Sequence, residues 1–70
     1  MALSQEDKEA FVYFLNSAFK SIPGFLKGMV NPGIILSAIG SIPLQFRKYT
    51  LGEIISAIEE AKENKTLNIQ

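Results

Sequence analysis

The sequence predicts a small all-α domain: three principal helices with one or two short helical turns connecting them. Three observations carry that expectation. Apolar residues near both ends recur at three- and four-residue intervals, the period of an α-helix. Three helix-start signals follow one another along the chain: Ser4 before an acidic turn, Asn31 before Pro32, and Thr50 three residues ahead of Glu53. Pro23-Gly24 and Pro43 stop the first two helices. The 70 residues suit one domain, 1–70, and a 47% hydrophobic content is too high for a disordered chain. Residues 1–4 and 66–70 are expected to fray.

Taken in order, the first helix begins at Ser4, whose hydroxyl can accept from a free N–H of the first turn. Glu6, Asp7 and Glu9 sit at the positive end of its dipole. Phe11, Phe14, Leu15, Ala18 and Ile22 form its apolar stripe, flanked by Val12 and Phe19, with Tyr13 on the opposite side among Glu9, Asn16 and Lys20. Phe25 to Val30 reads as a short helical turn. The second helix, expected from Pro32 to Ile42, opens on an Asn cap with Pro at its first position and carries no charge. Ile34, Ile35, Leu36, Ala38, Ile39 and Ile42 cover more than half its circumference, so it should be buried between the outer helices or face a partner. Leu44 to Tyr49 is expected as another turn. Thr50-Leu51-Gly52-Glu53 is a capping box and opens the last helix, Leu51 to Asn64, with Leu51, Ile54, Ile55, Ile58 and Ala61 on one stripe.

The expected core is therefore Phe11, Phe14, Leu15, Ala18, Ile22, Ile35, Leu36, Ile39, Ile42, Leu51, Ile54, Ile55 and Ile58. One internal echo crosses it: Ser17-Ala18-Phe19-Lys20-Ser21-Ile22-Pro23 resembles Ser37-Ala38-Ile39-Gly40-Ser41-Ile42-Pro43. A stacked array needs at least three units, so similar small/large alternation in separate short helices is the simpler reading.

Composition narrows the chemistry. The chain has no Cys and no His, which removes the thiol nucleophile, the commonest general base and any Cys/His metal site. Every acid lies at or before Glu9, or at or after Glu53, where it reads as a helix-start charge or a solvated face. Glu59 and Glu63, four apart, fit solubility better than cation binding. No enzyme activity and no cofactor are expected.

Seven basic and seven acidic residues cancel, yet the middle holds only the cations Lys20, Lys27, Arg47 and Lys48. Nucleic-acid domains present a denser basic face, and a helix opening Leu-Gly-Glu makes a poor recognition helix, so nucleic acid ranks last among the partners. A membrane surface ranks second, because Phe25, Leu26, Met29 and Val30 are edged by Lys20 and Lys27. The N-terminus has no basic stretch before an apolar run, and Asn31, Pro32, Gly33, Gly40 and Pro43 interrupt the longest uncharged stretch. A cytoplasmic location is expected, with peripheral membrane attachment as the alternative.

The leading functional expectation is a non-catalytic helical module, an adaptor, modulator or inhibitor, that presents an apolar surface to a protein partner or to a second copy. Gly33, Ser37 and Ser41, spaced by four, form a row of small residues that lets two backbones approach closely. With Ile34 and Ala38 they are the expected self-association surface. Tyr13, Arg47, Lys48 and Tyr49 are the expected contacts to another partner, since Arg and Tyr are enriched at binding hot spots.

Overall fold

The computed structural model describes residues 3–21 and 31–69. Within them lie three α-helices, α1 (Gln5–Ser21), α2 (Pro32–Ile39) and α3 (Leu51–Glu63), a 3-10 turn at Leu44–Phe46, and no strand. The fold is all-α, as the periodicity predicts. Ile22 and the expected turn from Phe25 to Val30, with Lys27, lie outside the described residues.

The caps form where the sequence places them. Ser4 Oγ accepts from the Asp7 N–H at 3.2 Å. Asn31 Oδ1 accepts from the Gly33 and Ile34 N–H groups at 2.9 and 3.3 Å, satisfying two donors that α2 itself cannot. In the capping box, Glu53 N–H donates to Thr50 Oγ1 at 3.2 Å and Thr50 N–H donates to Glu53 Oε1 at 2.8 Å.

Two features of α2 differ from expectation. It ends at Ile39, three residues early, because Gly40 turns the chain at φ 84°, a backbone region open to glycine and costly for other residues. The Gly40 N–H closes the helix onto Leu36 O at 3.1 Å. The internal echo therefore does not fold as one unit: Lys20 is helical within α1, while its counterpart Gly40 breaks α2. In addition, α3 rather than α2 is the middle helix, since it packs on both α1 and α2.

The core forms around α3. Ile54, Ala57, Ile58 and Ala61 make its buried stripe, facing Phe11, Leu15 and Phe19 of α1 and Ile35 of α2. Phe46, brought inward by the 3-10 turn, is fully buried and meets the Phe11 ring edge-on at a centroid distance of 5.1 Å, with Phe14 6.4 Å away. Phe14, Ala18, Leu36, Ile39, Ile42 and Ile55 are half-buried rather than central. Leu51 was expected in the core and is instead 61% exposed: it occupies the first residue of α3, one turn before the stripe reaches the core at Ile54.

Neither described end behaves as a frayed terminus. Leu3 is buried, and so are Leu67 and Ile69. After α3, Lys65 adopts a left-handed conformation, φ 56°, and the chain doubles back. Thr66 N–H bonds Ala61 O at 3.0 Å and Lys65 N–H bonds Lys62 O at 3.1 Å, which is the Schellman pattern of helix termination. The bend and turn that follow meet α1 at Asn16, whose side chain donates to Thr66 O at 3.1 Å and accepts from the Asn68 N–H at 2.8 Å.

Candidate interaction surface

The residues expected to mediate self-association are all on the surface. Gly33, Ser37, Ala38 and Ser41 are exposed, and Ile34 keeps 46% of its area in contact with solvent. Asn31, Gly33, Ile34, Ser37 and Ala38 line a shallow, open depression. The helix sequence explains it: with Gly and Ser at positions one turn apart, little side-chain bulk covers that side of α2. Early termination at Gly40 changes the expected row, however. Gly33 and Ser37 share a helical face, while Ser41 lies past the turn and does not extend it.

The other expected contacts are tied into the fold. Tyr49 is half-buried against the core, and its hydroxyl donates to Asp7 Oδ2 near the start of α1. Lys48 Nζ stands 3.4 Å from the same carboxylate oxygen and 5.3 Å from the Tyr49 ring centroid. Arg47 Nε donates to Ile42 O at 3.0 Å, closing the loop between α2 and α3. Tyr49 and Lys48 therefore tie the end of the 3-10 turn to α1, and Arg47 ties it back to the loop that leads into it. The Tyr49 hydroxyl holds the Asp7 carboxyl below the usual carboxylate range against the opposing effect of desolvation, with the Lys48 charge and Ser4 assisting. Tyr13 is different: it is 75% exposed, on the outer side of α1.

A cleft of about 250 Å³ between α1 and α3 was not anticipated. Val12, Ala57 and Ala61 contribute its apolar lining, and Lys8 and Glu60 pair beside it at 2.9 Å. The small side chains of Ala57 and Ala61 leave the space. Among the described residues no group of three or more acidic side chains is arranged to hold a metal ion. No described helix is long and apolar enough to cross a membrane. In comparison with known proteins, no family model, no curated protein and no solved structure matches this chain.

Proposed function

We propose that the chain is a non-catalytic helical interaction module that binds protein, including a second copy of itself, through the uncharged side of α2. One observation carries the reading. All eight residues of α2 lack a charge, yet the helix buries only Ile35 completely and leaves Gly33, Ile34, Ser37 and Ala38 at the surface. Apolar helical surface of that kind normally meets a partner.

The length of α2 sets the strength. Eight residues span about 12 Å, whereas a stable interface buries roughly 800 Å² per partner. A single short helix face falls below that, so self-association through α2 is weak and reversible, and the side of α2 is suited to a transient complex. Small residues at Gly33 and Ser37 favour close approach of a second helix over insertion of a bulky anchor.

Sedimentation equilibrium tests the proposal. A dimer appears as concentration rises into the high micromolar range, and Ser37→Leu weakens it more than Tyr13→Ala does. A monomer mass at every concentration removes self-association. Salt-sensitive flotation on anionic vesicles, absent with neutral ones, would replace the proposal with the membrane-surface reading.

A further inference from the structure

The cleft between α1 and α3 has an apolar floor and a rim rich in acceptors. Val12 of α1 and the buried Ala57 and Ala61 of α3 make the floor. On the rim, the hydrogen bonds already formed decide what a ligand must bring. Lys8 is the one cation among the described residues that line the cleft, and both oxygens of Glu60 hold it, at 3.2 and 2.9 Å. An anionic ligand would have to break that pair before any charge could meet it.

The other rim groups accept. Gln5 donates an amide N–H to Glu9 at 3.1 Å, which leaves its own amide oxygen as an acceptor. The Thr66 hydroxyl donates to Ala61 O at 3.1 Å, and its remaining capacity is to accept. Asn64 can offer either end of its amide. Glu9 carries a full negative charge against a neutral partner, since no cation among the described residues pairs with it. With Lys8 set against Glu60, the lining keeps one uncompensated negative charge, at Glu9.

We infer that this cleft binds a small primary ammonium with a single-ring or short alkyl body. The body lies on Val12, Ala57 and Ala61, and the ammonium meets Glu9, with the Gln5 and Thr66 oxygens as further acceptors. An ammonium brings three donors and no acceptor, which matches the rim. The size also agrees: a cavity of about 150 Å³ accommodates benzene, and this cleft, at about 250 Å³, leaves room for a one-carbon substituent and its charge. Because Glu9 is exposed, water and salt weaken the ion pair. The charge therefore selects among ligands more than it tightens any one of them. The site shares no lining residue with the α2 surface.

The test titrates benzylammonium chloride, benzyl alcohol and benzoate into the full-length chain at low salt, followed by methyl and amide chemical shifts. Shifts should centre on Val12, Ala57 and Ala61. Benzylammonium should bind roughly two- to fivefold more tightly than benzyl alcohol, with benzoate weakest. Glu9→Gln should bring benzylammonium down to the level of the alcohol. Lys8→Gln, which frees Glu60, should raise its affinity by a similar factor. Equal binding of the ammonium and the alcohol, a preference that survives Glu9→Gln, or shifts away from those three residues overturns the inference. If Lys8→Gln does not fold by circular dichroism, wild type against Glu9→Gln decides, because Glu9 is exposed and its side chain bonds only Gln5.

Discussion

Phe46 gives the sharpest test of the packing. It sits in a three-residue 3-10 turn, is fully buried, and contacts Phe11 edge-on at 5.1 Å. Phe46→Ala removes the whole ring from a site that its neighbours can only partly refill, at a cost of about 3–5 kcal/mol. A chain of this length has roughly 4–10 kcal/mol in total, at ~0.05–0.15 kcal/mol per residue. The variant should therefore lose between about a third and all of its stability. Phe46→Leu keeps much of the volume and loses the edge-on contact, worth about 0.5–1.5 kcal/mol, together with part of the burial. It should fold with a lowered melting temperature, by ~4–8 °C for each kcal/mol lost. Leu44, two residues earlier in the same turn and 78% exposed, is the control, and its replacement by Ala should move stability by less than ~0.5 kcal/mol. Urea denaturation followed by far-UV circular dichroism measures all three. If Phe46→Ala costs less than ~1 kcal/mol, the turn does not deliver Phe46 to the core and the packing described here is wrong.

Three further outcomes follow from the contacts. Asn16→Ala removes both main-chain hydrogen bonds to the C-terminal segment and should cost about 1–2 kcal/mol, while speeding amide exchange at Asn68; unchanged exchange there contradicts the clamp. Tyr49→Phe removes the hydroxyl that lowers the Asp7 pKa. Because a depressed carboxyl stabilises the fold above its ordinary value of 3.8 and that stability is lost as pH falls through the lowered value, wild type should weaken more steeply than Tyr49→Phe on acidification below about pH 4, and matching acid denaturation curves would refute that contact. Leu51→Ala should cost under ~0.5 kcal/mol against roughly 2–5 for Ile54→Ala, measured in the same urea series; equal losses would return Leu51 to the core.

The helices were legible because their signals are local. Capping residues announce each start, and the spacing of Phe11 and Leu15 or of Ile54 and Ile58 identifies a buried stripe without knowledge of the partner helix. Ala61 stands on the expected stripe and Phe19 beside one, and both are buried; Ala57, one turn before Ala61, could have been found in the same way. What could not be read was set by tertiary geometry. Leu44 and Phe46 lie in one apolar turn, and only the direction of that turn sends one outward and the other beneath Phe11. Pro43 rather than Gly40 was the expected stop of α2; that Gly40 ends the helix and leaves Ser41 beyond it depends on its φ. Terminal position suggested fraying; Leu67 and Ile69 are buried, and Asn16, some 50 residues earlier, bonds the main chain at Thr66 and Asn68. The lack of charge on α2 was legible in the sequence, whereas the ties of Tyr49 and Lys48 to Asp7 were not, because only the fold brings the start of α1 beside them.

The most direct test of α2 as the interaction surface is a dilution series of amide chemical shifts across the full-length chain. Concentration-dependent shifts should cluster on Gly33, Ile34, Ser37 and Ala38 and be lost in Ser37→Leu. Shifts absent from those four residues at every concentration, or persisting unchanged in Ser37→Leu, would contradict it.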